Sequence, residues 1–233
     1  MIDIGTTDFY FAVPNLTKRQ LERYSLHLFD RWEQSVEENL LVPDYSLALE
    51  VEEGSIKGKG RIAVALGALY FGIGNYGSFI SGLQIVRDQV VTVSDVLAKT
   101  AEQQLGRDFE GSRIRKRSGT LGALQRLFVQ VQRGEITPEQ ATNEAEALIG
   151  DDAKESPEFM TKLSQSLVEA PRFHEQVQLP LESTEEIPIS GQPHRDRRTP
   201  RPSIPFWPVS SHLRVEVWRE SKKDKKNFRT VSV

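Results

Sequence analysis

Hydrophobic positions recur along this chain with two different periods, and each period predicts its own kind of element. Asp8–Val13 (DFYFAV) is a short aromatic and β-branched run stopped by Pro14, which predicts a first strand. From Thr17 the spacing lengthens. Leu21, Tyr24, Leu28, Trp32, Val36 and Leu40 recur at three or four residues, with Lys18, Arg19, Glu22, Arg23, Asp30, Glu33 and Glu37 opposite. That pattern predicts an amphipathic helix, with a strand over Ser25–Phe29 as the alternative. Pro43 and Asp44 then turn the chain into Tyr45–Glu53, where Tyr45, Leu47, Leu49 and Val51 alternate with Ser46, Ala48, Glu50 and Glu52, the signature of a half-buried strand. Gly54–Gly60 reads as a flexible turn that only loosely resembles a phosphate loop.

The longest uncharged run, Ile62–Val86, has twenty-five residues fenced by Lys57, Lys59 and Arg61 before it and by Arg87 and Asp88 after it. It admits three readings. As one helix it would be about 37 Å long, enough for a marginal membrane span. A break near Gly74–Gly77 would instead give an apolar helical hairpin. Thirdly, Gly72, Gly74 and Gly77 match G-x-G-x-x-G with Asp95 downstream, as in a dinucleotide fingerprint, which requires a strand at Gln89–Ser94. Phe79, Leu83, Val86, Val90, Val93 and Leu97 form one helical stripe through that supposed strand, which argues against the fingerprint.

Beyond this region the helix is expected to end at Gly106. Arg113–Arg117 (RIRKR) reads as a solvated basic run, short of interleaved aromatics for base stacking. Leu121, Leu124, Phe128 and Val131 predict a helix closed by Arg133 and Gly134. Thr137-Pro-Glu-Gln140 carries a capping box with proline at the first helical position, and Ser156-Pro157 suggests a similar start for a helix over Glu158–Val168. The phrase Gly134–Ala141 resembles helical hairpins of small bacterial oligomerisation modules, and no function is carried over from it. Pro171–Pro208 holds eight prolines and reads as a disordered linker. His212–Glu220 and Phe228–Val233 predict a basic β-hairpin that needs something to dock on.

Composition changes the picture little. Formal net charge is −3 over 233 residues, so the chain as a whole does not read as a polyanion binder, although residues 195–233 hold eleven Lys/Arg against four Asp/Glu. No cysteine is present, which excludes a disulfide framework and a thiol nucleophile. The stretch MIDIGTTDF lacks a basic segment followed by an apolar one, so no secretory signal is expected. The four histidines (27, 174, 194 and 212) form no catalytic or metal-binding spacing.

The fold expected is α+β: a small N-terminal sheet packed with long apolar helices, a C-terminal helical hairpin, a disordered Pro-rich linker and a short basic β-hairpin. The boundaries expected are 1–110 (core), 111–170 (helical hairpin), 171–208 (linker) and 209–233 (tail). The function expected is that of a non-enzymatic interaction or oligomerisation protein, without cofactor, in the cytoplasm. A site assembled from distant residues stays open. Gly67, Gly72, Gly74, Gly77, Phe79, Gly82 and Leu83 are the candidate helix-packing or membrane interface. Lys57, Lys59, Arg61, Arg113, Arg115, Lys116 and Arg117 are the candidate contacts for an anion or lipid. The partner is expected to be a second copy or another protein, recruited by the basic tail, and nucleic acid enters only through that tail. Membrane association through Ile62–Val86 is the alternative function, and an NAD-type enzyme the third.

Overall fold

The computed structural model describes residues 1–12, 16–74, 78–105, 112–172 and 213–232. These build a mixed α+β fold of seven helices and one six-stranded, wholly antiparallel sheet. In chain order the elements are β1 (Ile2–Phe11), α1 (Lys18–Asn39), β2 (Ser46–Glu52), β3 (Ile56–Val64), α2 (Leu66–Gly74), α3 (Phe79–Gln103) and β4 (Arg113–Arg117). There follow α4 (Gly119–Gln132), α5 (Pro138–Ile149), α6 (Asp152–Glu155), α7 (Pro157–Val168), β5 (Leu213–Arg219) and β6 (Asn227–Ser232). The strands lie side by side in the order β4-β1-β3-β2-β5-β6.

Two of these strands replace segments expected to be irregular. Gly54–Gly60 is not a flexible turn throughout, because Ile56 onwards forms β3 at the centre of the sheet. Its helix-facing positions include Gly58 and Gly60, so no apolar side chain marks the inner face between Ile56 and Ile62. Neighbours fill the space instead: a β-carbon at Gly58 would fall inside the Phe9 ring, and one at Gly60 would collide with Leu97 of α3 beside Trp32 of α1. Arg113–Arg117 is likewise no solvated linker. It forms the edge strand β4, held by backbone pairing to β1 over Thr6–Tyr10 although all five side chains are exposed. The first strand also begins earlier than expected, at Ile2, because the polar stretch Gly5–Thr7 is buried. Gly5 lets Val90 of α3 sit against the sheet.

The uncharged run Ile62–Val86 is divided rather than continuous. Ile62–Val64 complete β3, Leu66–Gly74 form α2, and α3 starts at Phe79 behind the Ser78 cap. Among the described residues no helix is long and apolar enough to cross a membrane. Gln89–Ser94 lie within α3, so the strand a dinucleotide fingerprint needs is absent there. The apolar stripe of α3 (Leu83, Val86, Val90, Val93 and Leu97) is buried. Each large side chain so buried contributes roughly 1.5–3 kcal/mol.

The helix at Thr17 runs unbroken through Ser25–Phe29 as α1. Met1–Arg172 and Ser211–Val233 form one compact unit, and its core continues across residue 110 into Leu121, Phe128, Phe159 and Leu163. The short helix α6 was not legible in the sequence. Residues 173–212, which contain nearly all of the expected linker, lie outside the described residues.

Candidate binding surface

Helices α1 and α3 cover one face of the sheet, and the strand alternation turns the other set of side chains outward. On β3 these are Lys57, Lys59 and Arg61, all exposed. On β4 they are Arg113, Arg115 and Arg117. The strand between them, β1, contributes Thr6, Asp8 and Tyr10. The register aligns Arg113, Tyr10 and Lys57 across the three strands, then Arg115, Asp8 and Lys59, then Arg117, Thr6 and Arg61. Two basic clusters from distant parts of the chain therefore share one surface. Their strands stand about 10 Å apart, two strand spacings.

Six cations and the carboxylate of Asp8 share this half of the face. Arg117 takes that carboxylate at 2.9 Å. Asp3, at the start of β1, is engaged by the Gly5 N–H at 2.9 Å and by the Thr6 hydroxyl at 2.7 Å. Among the described residues no ion pair engages Lys57, Lys59, Arg61, Arg113 or Arg115.

The neighbouring half of the face, on β2, β5 and β6, balances itself. Glu52 accepts from Arg214 Nε at 2.9 Å, and Glu216 accepts from Arg229 Nε at 2.6 Å. The hydrogen bond that Arg214 donates to Glu52, then the charge of Glu52, raises the Arg214 guanidinium above its ordinary pKa. Glu50 faces Lys59 in register on one side and Glu216 on the other.

The expected recruiting tail spends much of its charge inside the fold. Arg219 donates to Glu33 at 2.7 Å and to Glu37 at 3.0 Å, and Lys226 pairs with Asp30, all three acids on α1. Thr230 Oγ1 adds a bond to Glu22 at 2.7 Å. Burial opposes charge on Arg219, but the hydrogen bonds to Glu33 and Glu37 outweigh it and its pKa rises. These contacts seat the hairpin that the sequence left without a dock.

The other candidate residues scatter. Lys116, one position out of phase with Arg115 and Arg117, pairs with Asp95 of α3, the acid the fingerprint reading would have given to a ribose. Gly72 and Gly82 do allow close approach, within the chain. A β-carbon at Gly72 would stand 2.9 Å from Val42 Cγ1, and one at Gly82 would stand 2.8 Å from Ile73 Cγ2. A β-carbon at Gly67 would stand 3.8 Å from Ser156 Oγ, one at Gly74 would meet nothing within 4 Å among the described residues, and Gly77 lies outside the described residues. Leu83 is buried, and the Phe79 ring packs 5.2 Å from that of Phe159.

A hollow of about 530 Å³ opens where α2, α3 and α7 meet, beside Tyr70 and Phe79. Its polar groups engage one another, Lys162 with Gln165 and Gln165 with Glu169. Among the described residues no group of three or more His, Asp or Glu could hold a metal ion.

Sequence reasoning found the cations of the open face but missed Asp8 and Tyr10. The signal available was the spacing of two residues in Lys57-Lys59-Arg61 and Arg113-Arg115-Arg117, which places each trio on one side of a strand. Comparison with protein-family models, curated proteins and solved structures finds no match.

Proposed function

We propose that this chain is a non-enzymatic binding protein that holds a phosphate-bearing polyanion across the open face of β3, β1 and β4. One observation carries the reading: five cations (Lys57, Lys59, Arg61, Arg113 and Arg115) share one face without an ion pair among the described residues, while the nearby acids Asp8, Glu52 and Glu216 are taken by other arginines. Clustered cations with no partner attract anions in a salt-dependent way. Recruitment through a basic element, first assigned to the tail, moves to the sheet.

Heparin serves as the test polyanion. The protein is expected to bind a heparin column at low salt and elute with added salt. The double variant Lys59→Glu/Arg115→Glu should pass through, and Lys223→Glu in the tail should elute with wild type. The opposite pattern, binding lost in the tail variant alone, returns recruitment to the tail.

Self-association keeps one observation in its favour. Phe71 on α2 is 71% exposed and Leu41 is 57% exposed, an apolar patch beside Val42 and Pro43. Sedimentation of wild type against Phe71→Ser over a range of concentrations tests it, and concentration-independent monomer in both discards it.

A further inference from the structure

The open face holds an aromatic ring among its cations. Tyr10 stands in register between Arg113 on β4 and Lys57 on β3, on the same side of β1 as Asp8. Its flanking residues Phe9 and Phe11 turn into the core, whereas Tyr10 is only half-buried. Its hydroxyl reaches the Ser55 hydroxyl at 3.2 Å, in the β2–β3 turn. That turn is tightly determined: Gly54 and Ser55 both have positive φ, 93° and 119°, and a serine adopts such a backbone only where its surroundings impose it. The tyrosine is thus tethered at its far end, beside unpaired cations.

This pairing of features separates one polyanion from others. A duplex keeps its bases paired inside and offers phosphates to a surface of this kind. Sulfated sugars and lipid headgroups have no flat ring to lay on an aromatic side chain. A single strand offers both a charged backbone and unpaired bases, and its binding sites combine cationic tracks with stacking platforms. The interleaved aromatic absent from the RIRKR run is supplied by the adjacent strand.

We propose that the face formed by β4, β1 and β3 binds single-stranded nucleic acid, with a base stacked on Tyr10 and the backbone held by Arg113, Arg115, Lys57, Lys59 and Arg61. The proposal rests on the polyanion reading above and adds the platform to it. A tyrosine at this place also shields the stems of neighbouring cations, a role that affects stability and leaves ligand choice unchanged.

The experiment is fluorescence anisotropy of the full chain with a short labelled oligothymidylate over a salt series. The same oligonucleotide in duplex form, heparin and phosphatidylserine vesicles serve as competitors. Tyr10→Ala is expected to weaken oligothymidylate binding about tenfold at an unchanged salt slope, because stacking is lost and no phosphate contact is. Tyr10→Phe should bind as wild type, since the ring remains. Lys59→Glu should flatten the salt dependence by at least about 0.7 in log–log slope, one phosphate contact. Heparin binding should be equal in wild type and Tyr10→Ala, and a thermal melt of each variant separates stability from affinity. Equal oligothymidylate affinity in wild type and Tyr10→Ala overturns the single-strand proposal and leaves the polyanion reading standing. Stronger competition by duplex, heparin or vesicles than by the single strand does the same. Failure of the wild type to bind any of these at low salt overturns both.

Discussion

Arg219 and Glu33, 186 residues apart, meet at 2.7 Å between β5 and α1. The side chains are mostly buried, at 15% and 18% exposure, and Arg219 also reaches Glu37. This contact ties the last strands of the chain to the first helix. Truncating Arg219 leaves two carboxylates facing each other without the cation, a loss of about 2–3 kcal/mol. Arg219→Ala should therefore lower the urea midpoint well beyond what Lys223→Ala does. Equal midpoints for the two variants would show that β5 is seated by its backbone pairing to β2 alone.

The glycines divide into two groups with opposite expectations. At Gly60 the space of a side chain belongs to Leu97 and Trp32, so Gly60→Val should overpack the sheet–helix contact and cost at least about 1–3 kcal/mol. Gly72→Leu meets Val42 and the Leu41 carbonyl and should also lower the melting temperature. A β-carbon at Gly74, at a helix end, would meet nothing within 4 Å among the described residues, so Gly74→Ala should be neutral or stabilise by up to about 1 kcal/mol. Thermal melts of the three variants check this order, and destabilisation by Gly74→Ala equal to that of Gly72→Leu would refute it.

High pH should unfold the protein through its buried tyrosines. Tyr24 donates to the Ala101 carbonyl at 2.9 Å, and the Tyr45 hydroxyl is buried without a hydrogen-bond partner among the described residues. Burial pushes both hydroxyls above the usual phenol range, and for Tyr45 the charge of Glu37 adds to it. A raised folded pKa means the unfolded chain releases its proton first. The contribution to stability is thus complete below about pH 10 and lost as pH climbs beyond it. Far-ultraviolet circular dichroism and tyrosinate absorbance, followed together, should change at the same alkaline pH. Tyr24→Phe should move that transition upward, and ionisation of Tyr24 and Tyr45 well before any loss of helix would contradict the account.

Local signals were legible and non-local ones were not. The box at Thr137 and Gln140 is present because its hydrogen bonds span three residues of one segment. Ser156-Pro157 begins α7 at the expected place, yet Ser156 makes no side-chain cap bond. The stripe from Phe79 to Leu97 identified α3 because a helix advertises its own buried face. Strand β3 could not do so, since the apolar filling over Gly58 and Gly60 comes from Phe9, Leu97 and Trp32. Strand β4 carries almost no apolar signal and exists because β1 offers it backbone partners. The candidate surface suffered the same way: its six cations were singled out in two separate runs, and only the pairing of both strands with β1 joins them around Tyr10.

Strand β4 also decides how the sheet ends. An edge strand presents unpaired backbone donors and acceptors that another copy could extend into a fibre. Here the border is written Arg-Ile-Arg-Lys-Arg, with every side chain exposed. A second molecule arriving strand to strand in antiparallel register would set arginine against arginine along the outer face of the ribbon. Crowded copies of this protein should therefore stay separate along that border, while a strand rich in glutamate or aspartate would find the same border open to it.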